Sequence, residues 1–282
     1  MPVLYTSDTI YRPPLERDSA FLEVAAGCSW HRCRFCDFSR DEFRVFSPDE
    51  VRDKLRLLGQ TAGDRTRLFL LGCNAFCLSF ERLRTLLLEV QAAMPRVREV
   101  SMYARADDIL RKTPQELAAL HELSLCDLHV GVESGSAAVL QLMDKGVTPD
   151  ELRRAFARLD AAGIGYHVTS IPGLGGRALS RENALETARL YNEIHPKSIW
   201  CMALQIFPGA PLYADIQNGL FEPLSPREAL AEEGLMLRHM TAAGPCLFVD
   251  STALQKYTLM GRLPGDRQKL LSAIDGLLRA EE

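Results

Sequence analysis

Three of the eight cysteines lie within nine residues of one another. Cys28, Cys33 and Cys36 are separated by gaps of four and two residues. Three thiolates on one short loop can ligate three irons of an iron–sulfur cube, which leaves the fourth iron open to a substrate or cofactor. Ferredoxins that only carry electrons use four cysteines, so this pattern favours chemistry at the cluster over simple electron transfer.

Two other interpretations of the three cysteines stay open. A structural zinc site could combine them with His31, although His31 lies between two of the cysteines and the usual second pair of ligands is missing. They could also be free thiols that are neighbours by chance. We do not expect disulfides, because the N-terminal segment lacks a secretory signal and a cytoplasmic protein keeps its thiols reduced.

Composition excludes several classes of protein. The 282 residues are 47% hydrophobic and 25% charged, which is typical of a globular protein of one to two domains. The net charge of -4 argues against a protein that coats nucleic acid. No apolar run reaches the roughly 18 residues that a membrane span needs. We therefore expect a cytoplasmic protein with neither a membrane nor a nucleic acid as partner.

Strand-like apolar runs recur at roughly 30–40-residue spacing, and amphipathic helical stretches lie between them. The cysteine loop follows the first run, and Ser47-Pro48-Asp49-Glu50 then predicts a helix cap with Pro at N1. Strands that alternate with helices indicate a parallel sheet covered on both faces, and six units are too few for a closed eight-fold barrel. An open barrel or a doubly wound sheet remains. The six runs are 21–26, 68–71, 97–102, 127–132, 166–171 and 198–203.

The alternation ends near residue 215. Beyond it we predict a helix at 226–240 that begins at the cap Ser225-Pro226-Arg227-Glu228, a short apolar stretch at 246–249 and a final helix at 266–279. A tail of this length is small for an independent domain. We interpret residues 1–215 as the core and residues 216–282 as a mainly helical extension or lid.

The cysteine loop resembles that of the radical S-adenosylmethionine (SAM) enzyme superfamily. The loop follows the first strand, Gly27 precedes the first cysteine and Phe35 precedes the last. The gaps of four and two residues, and the lead Tyr11-Arg12-Pro13-Pro14, resemble the elongator, methylthiotransferase and nitrogenase-cofactor branch. This resemblance covers roughly residues 10–215 and implies an α/β fold, a partial (β/α)6 TIM-like open barrel.

The resemblance implies an oxygen-sensitive [4Fe-4S] cluster on Cys28, Cys33 and Cys36, with SAM bound to its open iron. In such enzymes an electron from a reducing partner, such as flavodoxin or ferredoxin, reaches the cluster and SAM is cleaved. The products are methionine and a 5′-deoxyadenosyl radical, which abstracts hydrogen from a substrate. An open cluster of this kind needs a reducing compartment, which agrees with a cytoplasmic location.

The resemblance also implies SAM-binding residues at the carboxyl ends of the strands. The backbone of Leu71, Gly72 and Cys73 would receive the amino group of SAM. Glu133 with Ser134 would bind the ribose, and Lys145 stands where relatives often carry the arginine for the carboxylate. Each assignment has an alternative. Residues 71–73 could form an ordinary turn at the strand end, the serines after Glu133 could cap a helix, and Lys145 could be a solvated lysine at a helix C-terminus. The segment of Ser170, Ile171 and Gly173 would pack against the adenine of SAM. The cofactor would also contact Phe35, and its adenine would lie near Gln205, Ile206 and Phe207.

Four residues at strand ends are candidates for catalysis. Tyr103 and Arg105 follow the third strand, and Arg105 could bind a substrate anion or pair with a neighbouring aspartate. Cys73 and Cys77 could donate hydrogen to a substrate radical or contribute to a second metal site, although a second cluster needs more ligands.

We therefore predict a radical SAM enzyme that acts on a small molecule. No RNA-binding module and no second cysteine-rich domain is visible in the sequence. One alternative is a cluster- and SAM-binding protein that delivers a cofactor or haem, similar to coproporphyrinogen-oxidase-like relatives. The other alternative is a zinc-stabilised α/β protein without redox activity.

Overall fold

The computed structural model describes residues 4–6, 10–37 and 42–280. The strands are β1 (Ala20–Glu23), β2 (Ala25–Ala26), β3 (Arg44–Val45), β4 (Arg67–Leu71), β5 (Glu99–Ala104), β6 (Leu125–Glu133), β7 (Gly165–Ser170), β8 (Ser198–Cys201), β9 (Cys246–Ala253) and β10 (Tyr257–Leu263). The helices are α1 (Pro48–Ala62), α2 (Phe80–Ala93), α3 (Ala106–Leu110), α4 (Pro114–Glu122), α5 (Ala137–Leu142), α6 (Pro149–Ala162), α7 (Gly176–Tyr191), α8 (Pro211–Gln217), α9 (Pro226–His239) and α10 (Arg267–Ala280). In this described part of the chain, no helix has both the length and the hydropathy that crossing a membrane requires.

Eight strands form one sheet in the order β1-β4-β5-β6-β7-β8-β9-β10. The pairs β1–β4, β4–β5, β5–β6, β7–β8 and β8–β9 are parallel, and β10 is antiparallel to β9. The order follows the chain, as crossover helices between parallel strands allow. The predicted α/β fold of the partial (β/α)6 type is confirmed, since β1 and β4 to β8 lie at the six predicted apolar runs.

The chain divides into two compact units, of which the first comprises residues 1–31, 38–130 and 158–165. Leu68, Phe69 and Leu70 of β4 are completely buried at its centre. Helix α1 packs against β1 and begins at a capping box, in which Ser47 accepts from the Glu50 N–H and Glu50 accepts from the Ser47 N–H. The sequence predicted this cap, because Ser, Pro and Glu stand at N-cap, N1 and N3.

A buried carboxylate organises the polar interior of the first unit. Glu16 has no exposed surface, and its carboxylate accepts hydrogen bonds from the Arg67 guanidinium at 2.6 and 2.9 Å. The Ser101 hydroxyl donates to it at 2.8 Å, and His129 Nε2 lies 3.0 Å from it. His129 is therefore a core histidine held by a carboxylate, in agreement with its inward position on the predicted strand.

The second unit comprises residues 32–37, 131–157 and 166–282. Helix α9 packs against α7 and α10 and begins at the predicted capping box of Ser225 and Glu228. A Cβ at Gly234 of α9 would lie 3.2 Å from Cγ2 of Ile274 in α10. The bare backbone at Gly234 thus permits the close approach of these two helices.

The hairpin of β9 and β10 was not predicted. The sequence analysis expected only a short apolar stretch at residues 246–249, whereas β9 extends to Ala253 and β10 follows. Buried Asp250, followed by Ser251 and Thr252, interrupts the apolar pattern of β9, so the strand looks like a polar loop in the sequence. The extension therefore contains two strands besides its helices, and its boundary at residue 215 stays a prediction.

Candidate functional site

The three neighbouring cysteines lie on a loop without helix or strand that follows β2. Cys33 is buried, Cys28 and Cys36 are partly exposed, and none of them is in a disulfide. The Cys36 N–H donates to the Cys33 carbonyl at 3.3 Å. Thiolate sulfur is the donor that iron–sulfur clusters use, so the residues fit the group that their spacing implies.

Among the described residues, no three or more His, Cys, Asp or Glu side chains lie together as ligands of one ion. His31, which the zinc alternative requires, is exposed and has a φ of 60°.

Backbone and side-chain bonds hold the second half of the cysteine loop in the second unit. The Arg34 N–H donates to the Met143 carbonyl at 3.0 Å, and the Arg34 carbonyl accepts from the Leu212 N–H at 2.9 Å. The Arg34 side chain pairs with Asp215, and Arg32 pairs with Asp144 at 3.0 Å. Sequence analysis missed these bonds, since arginines on a loop look solvated.

Glu133 combines backbone strain with burial. It ends β6 with a φ of 65°, a conformation that a side chain other than glycine rarely adopts. Its carboxylate is buried and accepts from Lys145 Nζ at 3.0 Å and from the Thr169 hydroxyl at 2.8 Å. Such strain persists only where surrounding contacts impose it, and it is concentrated at functional sites.

A glycine makes room for this carboxylate. A Cβ at Gly131 would lie 2.3 Å from Glu133 Oε1 and 2.9 Å from Lys145 Nζ. Lys145 Nζ also lies 5.9 Å from the centre of the Phe35 ring. The second unit therefore brings together three of the predicted cofactor-binding residues, Phe35, Glu133 and Lys145. Gly131 and Thr169 complete the group, and sequence analysis did not name either of them.

Ser134 and Ser136 serve the local structure after β6. The Ser134 hydroxyl donates to Asn183 Oδ1 at 2.5 Å, which connects this segment to α7. The Ser136 hydroxyl accepts from the Val139 N–H and caps α5. The alternative interpretation as a helix cap thus applies to Ser136, while Ser134 anchors the turn that positions Glu133.

The segment after β7 is a buried turn. Ser170 and Ile171 are buried, and the Ile171 N–H donates to the Glu133 carbonyl at 3.0 Å. Gly173 has a φ of 84°, and its N–H donates to Glu232 Oε1 at 2.9 Å. Ile171 belongs to an apolar cluster against which Phe35 packs; its other members are Val139, Met143, Leu174, Leu212 and Phe221.

The predicted adenine contacts after β8 lie on a segment without helix or strand. Gln205 and Ile206 are exposed, and Phe207 is half-buried. Exposed apolar side chains such as Ile206 are common on this chain, so its exposure alone does not indicate a ligand.

Leu71, Gly72 and Cys73 end β4 in the first unit. Leu71 is buried and Cys73 is partly exposed. Gly72 has a φ of 142°, and a Cβ there would lie 3.0 Å from the Ala25 carbonyl oxygen. Glycine is thus required at this strand end by a close approach of two backbones.

Asn74, directly after this segment, is a contact that sequence analysis missed. It is completely buried, and its amide nitrogen donates to Asp108 at 2.6 Å and to the Ser29 hydroxyl at 2.7 Å. Ser29 follows Cys28, so Asn74 fixes the first half of the cysteine loop to the end of β4. The position of Asn74 directly after Cys73 is the sequence feature that could have indicated this contact.

The four catalytic candidates occupy different environments in the first unit. Burial raises the pKa of Tyr103, whose ring packs edge-on against Phe69 at 5.2 Å. Arg105 lies 4.7 Å from the centre of the Trp30 ring and pairs with Asp107 at 2.9 Å, so the ion-pair alternative is present.

The two cysteines of this group are partly exposed. Burial, and after it the Asp108 carboxylate, raises the pKa of Cys77 to about 11. Cys77 therefore keeps its S–H at neutral pH. Donation of a hydrogen atom requires an S–H group, whereas a metal ligand is a thiolate. Cys73 lies on the turn that begins with Gly72.

The chain matches one family model and several curated relatives. The model of the radical SAM superfamily matches residues 22–190. The tRNA-2-methylthio-N(6)-dimethylallyladenosine synthase of Yersinia pestis is 24% identical over 236 residues, covering 78% of this chain and 48% of the relative. That of Prosthecochloris aestuarii is 28% identical over 200 residues, covering 68% and 44%. The chain thus spans about half the length of the curated relatives it matches.

Solved structures show the same fold at low sequence identity. Elp3 of the archaeon Methanocaldococcus infernus superposes with a TM-score of 0.54 at 14% identity, covering 93% of this chain and 63% of that one. Methylornithine synthase superposes with a TM-score of 0.55 at 15% identity, covering 92% and 81%. Because the family model matches more than half of its residues, the chain belongs to the radical SAM superfamily.

Proposed function

We propose that this protein is an enzyme that reductively cleaves SAM at a [4Fe-4S] cluster held by Cys28, Cys33 and Cys36. Held by these cysteines, the cluster would supply one electron to the sulfonium of SAM, so that one C–S bond would break into methionine and a 5′-deoxyadenosyl radical available to abstract hydrogen from a substrate. Because the chain matches only about half of its curated relatives, this activity is proposed for the chain and not transferred to it.

The observation that carries the proposal is the carboxylate of Glu133. A residue other than glycine is held in a strained conformation, buried at the end of a parallel strand, with Lys145 3.0 Å away. Glu133 can accept hydrogen bonds from two ribose hydroxyls, and Lys145 can offer a positive charge to the carboxylate of SAM. A buried acceptor beside a cation supports a ligand that carries both hydroxyls and a carboxylate.

The test is SAM cleavage by the full chain. The protein is reconstituted anaerobically with iron and sulfide, reduced with dithionite and mixed with SAM, and 5′-deoxyadenosine is quantified by chromatography. We expect the wild type and Cys126→Ala to form 5′-deoxyadenosine. Cys33→Ala should form none and should also bind no cluster iron. An intact cluster without cleavage would favour the delivery protein, and a colourless zinc protein would contradict both cluster proposals.

We further propose a small molecule as the substrate, flavodoxin or ferredoxin as the electron donor and a cytoplasmic location. The net charge of -4 supports a substrate other than nucleic acid, while the curated relatives are named for tRNA modification. A metabolite fraction below 3 kDa should accelerate 5′-deoxyadenosine formation, and total tRNA should not. Acceleration by tRNA alone would refute the small-molecule part and leave SAM cleavage standing.

A further inference from the structure

Two carboxyl groups lie buried against each other in the second unit. Glu233 of α9 is 2% exposed and Asp250 of β9 is 4% exposed. The Asp250 carboxyl lies close enough to Glu233 to raise its pKa. Oε1 of Glu233 has no hydrogen-bond partner among the described residues. A buried polar atom without a partner costs free energy, so this oxygen calls for an explanation.

The pair lines a cavity of about 250 Å³. The cavity lies beyond the carboxyl ends of β7, β8 and β9, where parallel sheets form ligand sites, and it is somewhat smaller than sites for drug-sized molecules at about 300–1,000 Å³. Its walls are mainly apolar and include Pro172, Leu204, Ile206, Leu224, Leu230 and Ala253.

Asp250 is held in place on one side. Its Oδ1 accepts from the Thr252 N–H at 2.6 Å and from the Thr252 hydroxyl at 2.7 Å. Burial, and after it the charge of Asp250, raises the pKa of Glu233 well above its ordinary value. Two buried carboxyl groups in contact disfavour double ionisation, so the pair holds one shared proton more tightly than an isolated carboxyl would.

The residues that line the cavity indicate the chemical class of its ligand. Among the described residues that line the cavity there is no Lys, Arg or His, so the acidic pair has no basic side chain beside it there. Two carboxylates are few for Ca²⁺ or Mg²⁺, which take about six oxygen ligands. A protonated nitrogen on an apolar skeleton matches both the charge and the walls.

We propose that this cavity binds a small organic cation, an ammonium or guanidinium group on an apolar skeleton, whose N–H groups donate to Glu233 and Asp250. Gly173 and Ile206, which are predicted to contact adenine, also line the cavity. A ligand in the cavity would therefore lie beside the cofactor. Resting on the proposed function, this identifies the substrate class as amines or guanidines.

Glu232 provides an internal comparison. It precedes Glu233 on α9 and is also buried, but it does not line this cavity. Its Oε1 accepts from the Gly173 N–H at 2.9 Å and from the Asn183 amide at 2.7 Å. Glu232 therefore holds the turn after β7, while Glu233 faces the cavity.

The test uses three probes with one carbon skeleton: cyclohexylamine, cyclohexanol and cyclohexanecarboxylate. Their binding to the full chain at pH 7.5 is measured by ligand-observed NMR and calorimetry, on the protein with and without reconstituted cluster. We expect cyclohexylamine to bind at least tenfold more tightly than cyclohexanol and the carboxylate not to bind. Equal binding of the three probes, or no binding of the amine, would overturn the proposal.

Variants assign the binding to the pair. Glu233→Gln should weaken the amine at least tenfold and leave cyclohexanol unchanged, whereas Glu122→Gln, an exposed change on α4, should change neither. Ala229→Phe, which fills the cavity, should block both probes even if Glu233→Gln folds poorly. Amine binding that survives both Glu233→Gln and Ala229→Phe refutes the site. Since binding needs no SAM cleavage, failure here with normal 5′-deoxyadenosine formation leaves the proposed function intact.

Discussion

Glu133 is the residue at which strain, burial and charge coincide. Its carboxylate occupies the space that a side chain at Gly131 would take, and Lys145 and Thr169 bind it from two sides. An ion pair this deeply buried is weak evidence for stability, because desolvation offsets its Coulombic attraction. Its persistence together with a positive φ is better explained by a role in ligand binding.

Removing the charge of Glu133 should therefore weaken SAM. In Glu133→Gln one acceptor becomes a donor and the pairing with Lys145 is lost, so we expect SAM to bind about 10–100-fold more weakly, as for a lost hydrogen bond to a charged group. The measurement is the Kd for SAM on the anaerobically reconstituted protein. Glu122→Gln, an exposed change on α4, is the matched control. An unchanged Kd would remove Glu133 from the site.

Some residues of the candidate sites could be predicted from the sequence, and others could not. The cysteines, Glu133 and Lys145 were named from spacing and family pattern, and the last two are in contact. Glu233 was missed because two adjacent glutamates on an amphipathic helix look solvated, and only tertiary packing buries them. Thr169 was missed because its contact with Glu133 crosses from one strand to another.

Secondary-structure elements depend on a few buried polar contacts as well as on apolar packing. The turn at Pro14–Glu16 precedes β1, and Glu16 reaches Arg67 of β4, Ser101 of β5 and His129 of β6. One side chain thus joins the N-terminal lead to three strands. The Arg67 guanidinium also pairs with Asp127, so removal of Glu16 would leave a partly satisfied buried network.

Loss of Glu16 should destabilise the protein strongly. Glu16→Ala leaves Arg67 and His129 without their shared acceptor, and breaking a buried pair in this way costs about 3–5 kcal/mol. The free energy of unfolding is measured by urea titration with circular dichroism. Arg17→Ala, an exposed neighbour, should change it by about 0.5 kcal/mol or less. A Glu16→Ala protein as stable as the Arg17→Ala protein would contradict the role of this contact.

Helices and strands were predicted best where a short sequence pattern determines them. The capping boxes at Ser47 and Ser225 and the six core strands are confirmed, because Ser-Pro-x-Glu and apolar runs act over a few residues. The β9–β10 hairpin was not predicted. Asp250 is a buried polar residue within β9 that lies next to Glu233, so the strand lacks the hydrophobic pattern by which strands are recognised in a sequence.

At the scale of the whole molecule, buried carboxyls act on stability in opposite directions. Hydrogen bonds from Arg67 and His129 outweigh burial and lower the pKa of Glu16, so its contribution is present above the unfolded pKa and is lost as pH falls. Burial raises the pKa of Glu233, so the folded state holds a proton that the unfolded state releases. Stability should therefore decline on both sides of an intermediate pH.

Glu233→Gln should remove the decline on the alkaline side. Above a pKa of about 4.3 the unfolded chain loses the Glu233 proton, whereas burial raises the pKa in the folded protein, so stability falls by up to about 1.4 kcal/mol per pH unit until the folded pKa is reached. Glutamine has no proton to lose. The free energy of unfolding of Glu233→Gln, relative to wild type, should thus rise from pH 5 to pH 8 in urea titrations.

A matched control separates this effect from a general change of charge. Glu228 also lies on α9, and hydrogen bonds from Arg177 and the Ser225 cap lower its pKa to about 2. Glu228 is therefore ionised in both states above pH 5, so Glu228→Gln should shift stability by a constant amount between pH 5 and pH 8. If the Glu233→Gln difference is equally flat, the buried side chain is ionised in the folded protein, and the shared proton assigned to the pair is wrong.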